Sequence, residues 1–179
     1  VTACYNTGIV SGVSRVGGVI GDNSDTVTAC YNTGSVTGGS YVGGVAGYNW
    51  GTITDCYNEG SITGKDCGGG VVGCNRDTVI DCYNTGIVTG VNTVSGVVGE
   101  NMGTVTDCYN EGSVNGNDNT GGVVGFGDGD GGTVTGCYNT GSVTGNNKVG
   151  GVVGGIMVPD IMTSNIVAAL SPTVTTQAA

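Results

Sequence analysis

The tripeptide Cys-Tyr-Asn recurs six times in this chain and brings together a thiol, an aromatic ring and an amide. The copies begin at Cys4, Cys30, Cys56, Cys82, Cys108 and Cys137, in steps of 26 residues except for the last step of 29. If the copies stack, neighbouring thiols fall within range of a disulfide bond. Parallel side chains, however, hold their Cβ atoms somewhat too far apart for a relaxed disulfide. We therefore favour a structural ladder of buried thiols that pack as small apolar groups.

Cys67 and Cys74 lie outside this repeat. Seven residues of extended chain would separate them by about 23 Å. The sequence therefore predicts that they do not pair with each other.

The tyrosine after each cysteine gives a second ladder, whose middle members are Tyr31, Tyr57, Tyr83 and Tyr109. Side chains alternate between the two faces of a strand, so a buried cysteine places the tyrosine outside. An outward strip of aromatic rings could bind sugar rings, although structural support is the role we favour. The inward valine of Thr-Val-Thr and an inward cysteine are an odd number of residues apart, so this arrangement requires a bulge or corner between them. Without that corner, tyrosine would be buried and cysteine exposed.

The asparagine of each tripeptide gives a third ladder. Amide side chains stacked at the strand spacing can hydrogen-bond along the stack and can cap turns. We predict a structural role for this ladder.

Carboxylates recur just before the cysteine, as Asp55, Asp81 and Asp107. Like charges one coil apart repel by roughly 1 kcal/mol per pair in water, so these side chains either face solvent or bind a cation. Calcium prefers such oxygen ligands, and Asp128 and Asp130 give a second candidate site in a glycine-rich segment. A solvated acidic edge is the simpler interpretation.

Threonine pairs of the form Thr-x-Thr also recur in the chain. The pairs are Thr26 and Thr28, Thr52 and Thr54, Thr104 and Thr106, and Thr133 and Thr135. On a flat face they would form a lattice of hydroxyl and methyl groups with spacings of roughly 4.8 by 6.7 Å. Such a lattice resembles the ice-binding faces of insect antifreeze proteins, which makes ice binding an alternative function. Ile80 interrupts the lattice, and threonine is also an ordinary residue on the exposed face of a strand.

Catalysis is the function class with the least support. The chain contains no histidine, no set of histidine and cysteine residues spaced as metal ligands, and no nucleophile elbow. Paired carboxylates can cleave polysaccharides, but such sites need a cleft built from irregular loops, and these repeats are uniform. We therefore predict that the chain is not an enzyme.

The charge of the chain argues against several partners. Its 179 residues include 14 acidic and four basic residues, for a formal net charge of −10. Binding of nucleic acid needs clustered lysine and arginine, so neither nucleic acid nor an acidic membrane surface is an expected partner. No apolar run approaches the ~20 residues of a membrane span, so membrane insertion is not expected. No signal sequence is visible, which fits a mature product or a fragment.

Three short segments of strand character make up each repeat: Thr-Val-Thr-x-Cys-Tyr-Asn, Gly-x-Val-Thr-Gly and Val-Gly-Gly-Val-Val-Gly. β-Branched residues dominate these segments, and turn-forming residues separate them. Frequent glycine disfavours helices, and a fixed period in the twenties is typical of a coil repeated along an axis. The sequence therefore predicts an all-β parallel β-solenoid (β-helix) of six coils of about 26 residues, with three short strands per coil.

Departures from the period suggest the domain limits. Residues 1–155 are the predicted solenoid domain, and residues 156–179 are a predicted C-terminal cap and linker tail, with the cap at 156–170. The segment 126–132 carries three extra residues and is predicted to bulge outward from coil five. No cap is evident before Val1, which indicates a longer natural array.

Residues 42–60, Val-Gly-Gly-Val-Ala-Gly-Tyr-Asn-Trp-Gly-Thr-Ile-Thr-Asp-Cys-Tyr-Asn-Glu-Gly, resemble the GLUG motif of bacterial surface proteins. The resemblance extends over essentially residues 1–155, with valine or alanine in place of the leucine of the motif's name. The family occurs in large secreted and cell-surface proteins, including adhesins and immunoglobulin A peptidases, outside their catalytic domains. The resemblance implies an extracellular or cell-surface location and supplies no ligand.

These observations predict a non-enzymatic extracellular solenoid that serves as a structural or adhesive stalk of a bacterial surface protein. Equivalent sites at one spacing favour weak multivalent binding to glycans or a host surface. The exposed terminal strands also predict end-to-end self-association.

Overall fold

The computed structural model describes residues 1–129 and 132–157, and the regular elements in that part of the chain are all β-strands. These strands wind into about six coils stacked along one axis, which confirms the predicted parallel β-solenoid. Strands of neighbouring coils pair in parallel and in register, so that Tyr57 lies opposite Tyr31 and Tyr83. Among these residues there is no helix of the length and apolarity needed to cross a membrane.

Four parallel sheets form the faces of the solenoid, where three strands per coil were predicted. The Thr sheet contains Thr26–Thr28, Thr52–Thr54, Thr78–Ile80, Thr104–Thr106 and Thr133–Thr135. The Tyr sheet contains Tyr5–Asn6, Tyr31–Asn32, Tyr57–Asn58, Tyr83–Asn84, Tyr109–Asn110 and Tyr138–Asn139.

The other two sheets complete each coil. The long sheet contains Ile9–Ser11, Ser14–Gly17, Ser35–Gly43, Ile62–Gly69, Val88–Ser95, Val114–Asn115, Asp118–Gly121, Val143–Thr144 and Asn147–Gly150. The fourth sheet contains Ile20–Asn23, Ala46–Asn49, Val72–Asn75, Val98–Asn101, Val124–Asp128 and Val153–Met157.

A left-handed corner residue explains the additional strand. Between the Thr and Tyr sheets the chain turns at Ala3, Ala29, Asp55, Asp81, Asp107 and Gly136, whose φ angles lie between 51° and 67°. The predicted first segment is therefore two strands. The turn brings both Val27 and Cys30 into the core, where they are fully buried. This is the corner that inward-facing valine and cysteine required.

Two apolar clusters fill the solenoid. The larger is built of valine, isoleucine, alanine and cysteine from the Thr and fourth sheets and from the turns that flank them, including Val27, Ile53, Val72 and Cys82. A separate cluster lies within the long sheet, because each long strand folds back on itself and brings valines such as Val36 and Val42 together. Gly38 permits this fold, since a Cβ at that position would lie 2.8 Å from Cγ2 of Val42.

The three extra residues of coil five leave the stacking intact. Thr104 pairs with Thr133 and Tyr109 with Tyr138, so register is restored after the insertion. The insertion follows the strand that ends at Asp128, whose carbonyl accepts a hydrogen bond from the Gly132 amide at 2.9 Å. The last strand runs to Met157. The rest of the predicted cap and the linker lie outside the described residues.

Candidate functional site

The cysteine ladder faces the core. Cys30, Cys56, Cys82 and Cys108 are buried, whereas Cys4 is exposed, and all of these thiols are free. The buried thiols donate hydrogen bonds to the carbonyl two residues earlier, as from Cys82 Sγ to the Ile80 oxygen at 3.1 Å. The sulfur also accepts from the coil below, since the Cys30 amide lies 3.3 Å from Cys56 Sγ. Each buried thiol therefore stabilises the turn in its own coil and also bonds to a neighbouring coil.

Thiol labelling should follow this burial. Desolvation raises the pKa of Cys30 and of Cys82, so little reactive thiolate forms on either at neutral pH. We expect an aromatic disulfide reagent at pH 7 to label Cys4 rapidly in the native protein, and Cys30 and Cys82 only after denaturation. Peptide mapping by mass spectrometry assigns the sites. Rapid native labelling of Cys82 would contradict the buried ladder.

The tyrosine ladder lies outside the core, as the buried cysteine required. Its rings stack in five successive pairs with centroid separations of 4.9–5.1 Å and interplanar angles of 3–7°. Tyr31, Tyr57, Tyr83 and Tyr109 are half-buried, so each ring is covered by its neighbours in the stack and open at its side. The result is a continuous aromatic strip along one edge of the solenoid.

Two asparagine ladders run through the solenoid, and the sequence analysis identified only the first. In the predicted ladder, Asn84 Nδ2 donates to Asn110 Oδ1 at 2.8 Å and to the Gly86 carbonyl at 3.0 Å. The second ladder consists of Asn23, Asn49, Asn75 and Asn101, which bond in the same way at 2.7–2.8 Å. Its spacing of 26 residues was visible in the sequence. Apart from the half-buried Asn6 and Asn139 at the ends of the first ladder, both ladders are buried, and their side chains bond to one another along the stack.

The threonine pairs lie on the outer face of the Thr sheet. In the strand Thr52–Thr54 the isoleucine between the two threonines is buried and both threonines are half-exposed. The same pattern holds in Thr104–Thr106, whereas Thr26 is exposed. Ile80 takes the place of the second threonine in its strand and pairs with Thr54 and Thr106. The structure thus brings the predicted residues into two parallel columns with one apolar interruption.

The acidic residues do not converge. Asp55, Asp81 and Asp107 occupy successive left-handed corners, and their side chains are exposed. In residues 1–129 and 132–157 no three acidic or cysteine side chains come close enough to hold a metal ion. Asp128 lies at the end of its strand, and Asp130 lies outside the described residues. Calcium binding at these residues stays a prediction, and the arrangement seen is that of a solvated acidic edge.

The corner between the long and fourth sheets differs from all these ladders, because the residue type at each of its positions changes from coil to coil. We call it the variable corner and define it by three columns. The first column has positive φ in every coil: Arg15, Tyr41, Cys67, Thr93, Asn119 and Lys148. The second column pairs in register: Asp22, Tyr48, Cys74, Glu100 and Phe126. The third column contains Trp50, Arg76 and Met102, whose amides each bond to the preceding coil at 2.8 Å.

In coils one to three the variable corner holds a compact cluster of aromatic and cationic groups. Tyr48 packs edge-on against Tyr41, with ring centroids 5.3 Å apart, and lies tilted by 31° against Trp50 at a centroid separation of 5.2 Å. The guanidinium of Arg15 lies 4.8 Å from the Tyr48 ring centre and pairs with Asp22. That of Arg76 lies 5.4 Å from the Trp50 ring centre, and its Nε donates to Tyr48 Oη at 2.7 Å. Two arginines therefore flank a single buried tyrosine.

Cys67 and Cys74 belong to the same corner. Both thiols are free, as predicted, but the extended chain assumed for them is wrong, because the strand Ile62–Gly69 ends between them and the chain turns into Val72–Asn75. Burial, and then the nearby Glu100 carboxylate, raise the pKa of Cys67 above the usual range and that of Cys74 to about 11. Cys67 Sγ lies 3.5 Å from Glu100 Oε2. Both thiols are therefore protonated at neutral pH.

Together these features define a repeat protein of the parallel β-solenoid class. Within it, residues 38–63 match the family model described as the GLUG motif, which is one period of the chain and confirms the resemblance drawn from the sequence. A comparison with curated proteins and with solved structures finds no match.

Proposed function

We propose that this chain is a non-enzymatic, extracellular stalk of a bacterial surface protein, and that the stalk is adhesive. The observation that carries the proposal is the continuous tyrosine strip, in which one ring from each coil stacks on the next at a spacing near 5 Å. Six coils at the strand spacing give a solenoid roughly 25–30 Å long. Its columns present one chemical group repeatedly, which favours weak contacts made many times.

The adhesive part of the proposal is tested by glycan arrays and by binding to host cells. The wild-type domain is compared with a Tyr57→Ala/Tyr83→Ala variant and with the matched Tyr57→Phe/Tyr83→Phe variant, which keeps the stacked rings. We expect the alanine variant to lose binding to neutral glycans while the phenylalanine variant keeps it. If the wild-type domain binds no glycan and no host surface, the adhesive role is wrong and a passive spacer remains.

End-to-end association extends the same proposal. The strand Tyr5–Asn6 pairs in register with Tyr31–Asn32, and a strand of a second copy can pair in the same way with an end coil of the solenoid. A second copy placed there continues the columns of the solenoid. Light scattering should show a mass that grows with protein concentration, and a strictly monomeric mass at high concentration would contradict association.

Ice binding is the second candidate function, and the outward threonine columns favour it. The paired strands place Thr78 between Thr52 and Thr104 in one column, at the spacing of stacked coils. Ile80 breaks the other column, which limits the lattice to short stretches. Thermal hysteresis in a freezing solution of the domain would support this function, and its absence would remove it.

A further inference from the structure

We propose that the variable corner of coils one to three binds a sugar acid, with the carboxylate of the sugar on Arg76 and the face of its ring on Trp50. The proposal rests on the adhesive function above and adds to it a specific site and a ligand class. It also places recognition away from the repeated tyrosine strip.

The fold itself does not require the unusual residues of this corner. Thr93 and Asn119 occupy the first column with φ angles of 54° and 47°, close to the 54° of Tyr41, so the backbone turns equally well without an aromatic side chain. The chain has ten aromatic residues, of which six tyrosines form the ladder. The other four all lie in the variable corner: Tyr41, Tyr48, Trp50 and Phe126. A cluster that the scaffold does not need is a candidate for recognition.

The side chain of Arg76 is held in one orientation, which favours the binding of an anion. Its guanidinium lies against the rings of Trp50 and Tyr48, and its Nε is fixed by the Tyr48 hydroxyl at 2.7 Å. The side chain is exposed, and the only ion pair among the described residues is that of Arg15 with Asp22. Arg15 thus has an ion-pair partner, whereas Arg76 makes no ion pair with a described residue. A planar guanidinium held in one orientation suits the two oxygens of a carboxylate, and its fixed position reduces the entropy lost on binding.

Trp50 supplies the apolar half of the site. Its side chain is 52% exposed although it packs on Tyr48. An exposed indole beside polar side chains suits a sugar ring, which has an apolar face and hydroxyl groups at its edge. Burial raises the pKa of Tyr41 and Tyr48, so both phenols keep their protons at neutral pH.

Other classes of ligand fit less well. The strands Ser35–Gly43, Ala46–Asn49, Ile62–Gly69 and Val72–Asn75 carry the cluster. Each pairs with a neighbour on both sides, so no strand edge is open there for an added peptide strand. A dense polyanion would be repelled by the chain, whose net charge is −10. A sugar with one carboxylate needs only the guanidinium of Arg76, which makes no ion pair with a described residue.

Trp50 is the single tryptophan of the chain, so its fluorescence reports directly on this site. We would titrate the domain with oligosaccharides that contain galacturonic, glucuronic or sialic acid, each beside its neutral methyl ester. We expect a saturable change in fluorescence with at least one acid, and binding about tenfold weaker or more for its ester. Arg76→Gln should remove this preference, whereas Lys65→Gln, which makes the same change of charge at an exposed site elsewhere, should behave as wild type.

The outcomes separate this inference from the general proposal. Equal binding of acid and ester, unchanged binding by Arg76→Gln in a domain with wild-type circular dichroism, or no binding of any sugar acid would overturn the site. If neutral-glycan binding is lost in Tyr57→Ala/Tyr83→Ala while Arg76→Gln keeps the preference for sugar acid over ester, the adhesive function stands and the sugar-acid site does not. The proposed adhesive function itself would be wrong only if the wild-type domain bound neither glycans nor host surfaces.

Discussion

Substitution of Gly70 by alanine should lower the free energy of unfolding by more than about 3 kcal/mol, the range of severe overpacking. Gly70 lies where the long sheet turns into the fourth sheet, directly against the next coil. A Cβ there would lie 1.9 Å from the Gly96 carbonyl oxygen and 2.5 Å from Cγ of the buried Asn84. Neither the backbone nor the asparagine ladder can move away without breaking hydrogen bonds between coils. Denaturation followed by far-ultraviolet circular dichroism measures the loss.

Gly151 provides the matched control, because it occupies the equivalent position in the last coil. A Cβ on Gly151 would meet no atom of the described residues within 4 Å. We expect Gly151→Ala to change the free energy of unfolding by no more than about 0.5 kcal/mol. Equal effects of the two substitutions would mean that neighbouring coils do not approach as closely as described here.

Asn84→Ala should cost about 2–4 kcal/mol, because it breaks the buried ladder in the middle. Asn84 accepts from Asn58 Nδ2 at 2.7 Å and donates to Asn110 Oδ1 and to the Gly86 carbonyl. Its removal leaves the Asn110 and Gly86 oxygens buried without these donors, and each such group costs about 1–3 kcal/mol. Urea denaturation gives the free energy, and hydrogen exchange shows whether protection falls in the adjoining coils.

Asn139→Ala is the corresponding change at the last rung of the same ladder. Its Nδ2 donates to the Gly141 carbonyl, and its Oδ1 accepts from Asn110 Nδ2. The side chain is only half-buried, so water can replace the lost partners. We expect a loss of about 1 kcal/mol. A larger loss for Asn139→Ala than for Asn84→Ala would contradict a ladder that stabilises the interior coils most.

The sequence was sufficient to predict the solenoid, because the fold repeats the same interaction. A residue that stacks on its own copy makes the period a direct record of the coil length, and Tyr31 opposite Tyr57 is the simplest case. The number of strands per coil was not predictable in the same way. It depends on the left-handed backbone at Asp55 and its equivalents, and alanine at position 29 adopts that conformation without being a typical residue for it.

The variable corner escaped the sequence analysis for the opposite reason. Tyr41, Tyr48 and Trp50 have no identical residue at the equivalent positions of the other coils, so the repeat does not mark them. A signal was nevertheless present, since Arg15, Tyr41 and Cys67 follow one another at 26-residue intervals. Their proximity to the next column became evident only from the turn between the long and fourth sheets, whose geometry the glycine-rich sequence does not specify.

The most direct test of in-register stacking is the separation of two nitroxide labels, one on each of two neighbouring coils. Ser35 and Ser61 suit this measurement, because their hydroxyl oxygens lie 2.9 Å apart at the surface. Labels would be attached at Ser35→Cys and Ser61→Cys in a background where the accessible Cys4, Cys67 and Cys137 are replaced by serine. We predict strong spin–spin broadening in the doubly labelled protein, as for labels on strands about 5 Å apart. A spectrum equal to the sum of the two singly labelled proteins would contradict the stacked coils.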